Sequence, residues 1–260
     1  MRSKYDTKRV KYRQRRSIKK NKTQSKKGRK TMIGGHSPEF IAYINSMLSN
    51  CSEGGQVPPH STPIGRVLRS IRVSGFTNKM QKNGRFVSQN TPQLTDLRDD
   101  TIRFWKWTKQ LNERAGKPPL LETFKLYRSS DIDALDAQRN SIQSIPFSCT
   151  WDINFAIAWM GGNHCCLFEI NMTSDDVFLP VSLPVGQVHP DDTVQQHIDA
   201  QYVLFNPKQS EVIVAPCILN YTGSTHHNGL IVYQYNATSM VSTSEITKNF
   251  NTVVTNGCFF

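Results

Sequence analysis

Charge in this 260-residue chain is segregated, and the segregation decides which part can fold. Residues 1–32 hold 15 of the 32 Lys and Arg against a single acid, Asp6. Their bulky apolar residues are sparse (Tyr5, Val10, Tyr12, Ile18), so like charges repel with almost no burial to offset the ordering entropy. This segment reads as a disordered basic tail. Its clusters, Arg13-Gln14-Arg15-Arg16 and Lys26-Lys27-Gly28-Arg29-Lys30, suit nucleic acid or another polyanion, or nuclear import. The plain alternative is a solubilising tail with no specific partner. The rest of the chain, with 17 basic and 19 acidic residues, is near neutral and long enough for one substantial core.

Several classes are set aside at this level. No stretch approaches the roughly 20 apolar residues that span a bilayer, so no membrane span is expected. The basic N-terminus has no apolar run behind it, unlike a secretory signal, and no amphipathic stripe, unlike a transit peptide. The six cysteines lack framework spacing and read as reduced thiols of an intracellular protein. Glycosylation-type triplets at Asn171, Asn220 and Asn236 arise readily by chance.

Along the chain, Ser37-Pro38-Glu39 opens a helix through about Leu48, with Ser37 as cap and Pro38 in the first turn. Residues 51–64 and 77–92 read as loops, and 67–76 fits helix or strand equally. An amphipathic helix is expected from Thr95 to Ala115, with Trp105 and Trp107 as core. Strands follow: Phe124 to Arg128, a short one ending at Thr150, Cys165 to Ile170, Asp176 to Leu179, and Leu230 to Tyr235. Asp131–Arg139 reads as a helical turn, and Asp152–Trp159 as a helix stopped by Gly161-Gly162. Residues 184–200 are polar and give no clear element. Ser210 to Ile218, nearly all apolar after Glu211, reads as one central strand covered on both faces. Strands and helices that do not alternate regularly indicate an α+β fold.

Three polar elements stand out in order. An Arg ends a strand (Leu126-Tyr127-Arg128-Ser129). A Ser-x-Thr follows an aromatic (Phe147-Ser148-Cys149-Thr150). A Gln-x-Glu opens an apolar strand (Gln209-Ser210-Glu211-Val212). A fixed carboxylate such as Glu211 stabilises positive charge developing on a sugar when a glycosidic-type bond breaks. Arg128 supplies a planar fork suited to a diphosphate. Gln209 and Glu211, two apart on a strand, project to one face, where a neutral amide adds no second charge beside the acid.

In this order the elements resemble the Arg–Ser–Glu class of mono-ADP-ribosyltransferases, the toxin-like enzymes that use NAD. The resemblance covers about Phe124 to Tyr235. It implies two small, packed, mostly antiparallel sheets with N-terminal helices: an ADP-ribosyltransferase-like domain over 93–245. An N-terminal helix with loops over 33–92 precedes it, and an extension over 246–260 follows. It implies Glu211, Gln209 and Ser148 as catalytic residues, with Glu211 also bonding the ribose 2′-hydroxyl and Ser148 holding the carboxylate. Arg128, Ser129, Thr150 and Tyr127 become the NAD-binding set. Thr150 would support its segment or the nicotinamide-side geometry. Tyr202–Lys208 becomes the acceptor loop, with Phe205 its aromatic contact, and no metal is required. Gln at 209 looks like the subclass that modifies protein side chains other than arginine.

Two positions depart from the family pattern. Ser129 stands where Gly is usual, and Cys149-Thr150 replaces Thr-Ser; neither removes a reacting group. Two rival readings remain. One is a catalytically silent module of this fold that the tail anchors to nucleic acid or a virion core. The other is a thiol hydrolase using Cys149 with His164 or His189 as base. Zinc at His164-Cys165-Cys166 is disfavoured, because adjacent strand residues face opposite ways.

Overall fold

Ser37 caps the first helix as its sequence predicts. In the computed structural model, which describes residues 35–53, 91–130, 132–160, 166–201 and 210–256, its Oγ accepts the Phe40 N–H at 3.1 Å. Helix α1 spans Pro38–Glu53, a turn beyond the expected end. It buries Phe40, Tyr43, Ile44 and Met47, the spacing of a single helical face. Helix α2 spans Thr91–Ala115 and ends where Gly116 takes a φ of +74°. Trp105 is buried in its core, and its Nε1 donates to the Met240 carbonyl at 3.0 Å. Asn112 of α2 receives the Phe178 N–H at 3.3 Å and donates to the Phe178 carbonyl at 2.8 Å, standing in for a strand neighbour.

The strands are β1 (Thr123–Ser130), β2 (Ser141–Gln143), β3 (Phe147–Thr150), β4 (Cys166–Thr173), β5 (Phe178–Pro180), β6 (Glu211–Val214), β7 (Cys217–His227) and β8 (Leu230–Ser239). A 3₁₀ turn at Asp136–Gln138 fills the place of the expected helical turn. Helix α3 covers Ile153–Trp159, with Asp152 accepting the Asn154 N–H as cap. Helix α4 covers Asp192–Gln201, where the sequence showed no element, and α5 covers Thr243–Asn256.

All eight strands form one sheet in the order β2-β7-β8-β4-β1-β3-β6-β5, antiparallel except between β4 and β8. The two separate sheets expected are therefore one hydrogen-bonded sheet. It must nevertheless double over. Strands β6 and β7 lie five places apart in the order, about 24 Å in a flat sheet, yet Ala215 and Pro216 alone join them. Three Cα steps reach at most about 11 Å. One core accordingly takes side chains from both halves, among them Phe147, Val212 and Val214 with Phe168, Leu219 and Tyr235.

The apolar run from Ser210 to Ile218 is thus two strands rather than one. Pro216 has no N–H to continue a ladder, and the Ala215 N–H goes to the Val177 carbonyl instead. Strand β1 also runs two residues beyond Arg128. The basic tail, residues 54–90, Gly161-Gly162, His164, Cys165 and the loop containing Tyr202, Phe205, Lys208 and Gln209 lie outside the described residues.

Candidate active site

The sheet has a seam, and the predicted residues gather along it. Strand β1 pairs with β4 at eight successive positions, from Thr123↔Thr173 to Ser130↔Cys166. Against β3 it makes a single pair, Tyr127↔Thr150. Regular antiparallel register would continue with Arg128 opposite Cys149 and Ser129 opposite Ser148, but no such pairs form. The guanidinium of Arg128 crosses there instead. Its Nη1 donates to the Ser148 carbonyl at 2.7 Å, and its central carbon lies 5.5 Å from the centre of the Phe147 ring.

On the other side β3 pairs with β6 through Phe147↔Val214, Ser148↔Ile213, Cys149↔Val212 and Thr150↔Glu211. Alternation sends Phe147, Cys149, Val212 and Val214 into the main core, leaving Ser148, Thr150 and Glu211 on the opposite face. There the Ser148 hydroxyl donates a short hydrogen bond to Glu211 Oε1. Arg128, Ser148 and Glu211, separated by 20 and then 63 positions along the chain, are linked through consecutive hydrogen bonds. Glu211 is 5% exposed, so its carboxylate acts in a medium where charge interactions are far stronger than in water.

The backbone around the acid is fixed as well. The Glu211 carbonyl accepts two N–H groups, from Val181 at 3.0 Å and Ser182 at 3.1 Å. Ser210, just before it, has a φ of +47°, an uncommon conformation for a residue with a Cβ. Its carbonyl accepts the Trp151 N–H at 3.0 Å, and Trp151 Nε1 donates to the Ser182 carbonyl at 3.1 Å. Sequence reading missed Trp151, Val181 and Ser182. The one available signal was Trp151 itself, since a buried indole N–H needs a partner.

Other candidates fall differently. Thr150 is fully buried and its Oγ1 accepts the Asp152 N–H at 3.1 Å, which ties the end of β3 to the cap of α3. Ser129 is buried in β1 opposite Leu167. Tyr127, like Ile153 and Ile157 of α3, packs against the buried cluster of Ala156, Leu167 and Val232. Burial first, and Glu169 second, push its hydroxyl up to about 12. By strand alternation it faces away from Arg128, and its pairing with Thr150 puts it on the face of Ser148 and Glu211. Gln209 lies outside the described residues; β6 begins at Glu211, and Ser210 before it takes a left-handed backbone.

The thiol hydrolase reading fails. Cys149 is fully buried, and desolvation pushes its thiol up to about 12, with Arg128 opposing and Glu211 adding to the rise. His189 does not serve it: the ring bonds Ser49 Oγ and the Asn45 carbonyl of α1. Among the described residues, no group of three or more His, Cys, Asp and Glu is arranged to hold a metal ion. None of their helices is long and apolar enough to cross a membrane.

The chain matches no protein-family model and no curated protein sequence. It is similar in chain path to solved ADP-ribosyltransferases. Vis toxin from Vibrio splendidus shares 11% identity, covering 78% of this chain and 87% of its own, with a TM-score of 0.37. An ADP-ribosyltransferase from Clostridium botulinum shares 12% over 80% and 98%, with a TM-score of 0.42. An ADP-ribosyltransferase toxin from Paenibacillus larvae shares 9% over 77% and 96%, with a TM-score of 0.43.

Proposed function

We propose that this chain is an NAD-dependent mono-ADP-ribosyltransferase acting at the β1/β3 seam. The observation that carries the reading is the run of hydrogen bonds from Arg128 through Ser148 to Glu211. It unites a guanidinium suited to a diphosphate with a buried carboxylate, beside strands that part where backbone pairing would otherwise close the gap. That donor set fits NAD, whose diphosphate is anionic and whose nicotinamide ribose gains positive charge as the bond to nicotinamide breaks. NAD supplies an activated glycosidic bond whose electron pair departs on the nicotinamide nitrogen.

The chain's own groups do the rest. Glu211 faces the developing charge, and because Ser148 and the backbone hold it in place, little reorganisation is needed as the charge appears. Arg128 orients the diphosphate. An acceptor nucleophile then takes the sugar carbon and sheds a proton, giving ADP-ribosylated product; water in its place gives ADP-ribose. We further propose a protein side chain other than arginine as acceptor, with Gln209 positioning it and Phe205 as its aromatic contact. Residues 1–32 would bring the domain to nucleic acid or another polyanion, in an intracellular and specifically nuclear setting.

Incubation with NAD labelled in the adenylate half, alone and with cell lysate, tests the reading. Nicotinamide release together with label transfer to protein supports it. Absence of both favours the catalytically silent binding module.

A further inference from the structure

Glu211 is the first residue of its strand, and it follows a residue with left-handed backbone. A carboxylate so placed needs fixing from outside β6. Two neighbouring segments supply it: Val181-Ser182, whose N–H groups reach the Glu211 carbonyl, and Ser210, whose carbonyl is held by Trp151. Trp151 is the residue common to both. Its backbone N–H holds Ser210, and its indole Nε1 holds the Ser182 carbonyl at 3.1 Å. It also follows Thr150 directly, the residue opposite Glu211 in the β3/β6 register.

The indole cannot swing away from this post. It is 8% exposed and wedged between rings: Phe124 at 5.3 Å, His36 at 6.0 Å and Phe40 at 6.4 Å between centroids. These rings belong to α1 with its entry and to β1, so the tryptophan ties the acid to the rigid core.

We infer that Trp151 is a positioning residue for Glu211, setting the carboxylate's place by holding Ser182 through its indole N–H and Ser210 through its backbone N–H. Its two hydrogen bonds go to the Ser182 and Ser210 carbonyls rather than to the carboxylate. The inference rests on the transferase reading for its kinetic consequence, but the structural link stands without it.

Two variants test this. Trp151→Phe keeps an apolar ring and deletes the donor. Replacement of Trp151 by benzothienylalanine keeps the bicyclic shape and puts sulfur where the N–H was, so folding is retained. Nicotinamide release should show kcat down roughly five- to tenfold with the KM for NAD unchanged, the size expected from one neutral hydrogen bond acting on the transition state. A structural defect alone would lower the active fraction without altering exchange locally. Hydrogen exchange at the Val181 and Ser182 amides should therefore speed up, while amides of the β7–β8 hairpin keep their rates. Unchanged exchange at Val181 and Ser182 overturns the inference, whatever the kinetics. Faster exchange with unchanged kcat in an active enzyme overturns it too. A wild-type protein that releases no nicotinamide refutes the transferase reading instead, and leaves the positional link to be judged by exchange.

Discussion

Replacing Ser148 by Ala removes a single oxygen from the seam, and its effect can be worked out from the structure. The Ser148 hydroxyl donates to Oε1 of Glu211, a residue only 5% exposed, so water does not readily replace it. A hydrogen bond to a charged group contributes about 1.5–3 kcal/mol. If that interaction tightens as the sugar becomes cationic, its loss lowers kcat by roughly 10- to 150-fold at 1.4 kcal/mol per decade. The sign with pH follows as well. A donor to the ionised form favours that form, so its removal makes Glu211 harder to ionise and moves the acid limb of the rate profile to higher pH. Arg128 is held by the Ser148 backbone carbonyl, which Ala retains, so the KM for NAD should change little. Nicotinamide release measured from pH 4 to 9 at saturating and limiting NAD separates these effects. Ser148→Thr, which keeps a hydroxyl, should recover most of the rate. A Ser148→Ala enzyme with wild-type kcat and an unmoved acid limb would refute the reasoning.

Arg128→Lys keeps the charge but loses the planar fork that crosses to Ser148, so NAD should bind at least tenfold more weakly by calorimetry while the fold melts normally. Cys149 should resist iodoacetamide in the native protein at pH 8 and react once the chain is unfolded in urea, as read by mass spectrometry. Alkali should destabilise the domain. The Cys149 and Tyr127 protons are held up to about 12 in the fold, against 9.0 and 10.0 ordinarily. Their stabilising effect is therefore complete below about pH 9 and lost as pH climbs to about 12. Urea midpoints should fall over that window, and a flat profile would contradict the burial of both groups.

What could be read in advance was local. Ser37 as a cap, Gly116 as a helix stop, and the residue types at Arg128, Ser148 and Glu211 each declare themselves within a few neighbours. The capping pattern Ser242–Glu245 was legible too: the Ser242 hydroxyl accepts the Glu245 N–H and the Glu245 carboxylate accepts the Val241 N–H, opening α5. Its buried Ile246, Phe250 and Val253 keep helical spacing, yet that element went unread. Helix α4 was obscured because Asp191 starts it from a polar stretch in which Val194 is a lone buried apolar contact among its described side chains. The break at Ala215-Pro216 was hidden inside an unbroken apolar run, where hydrophobicity says nothing about which strand comes next. Tyr127 and Arg128, adjacent in sequence, face opposite sides of β1, and only the register brings Tyr127 beside Thr150 and Glu211. Nor can a local pattern announce that Val181 and Ser182 donate to the carbonyl of Glu211, far along the chain.

Turnover by the wild-type chain set beside Glu211→Gln is the most direct test, since the amide keeps the shape of the side chain and deletes its charge. With both proteins folded alike by circular dichroism, the wild type should release nicotinamide from NAD, and the variant should be slower by about a hundredfold or more. Equal rates in the two, or no release from either, would mean that the acid on β6 does not act on this substrate.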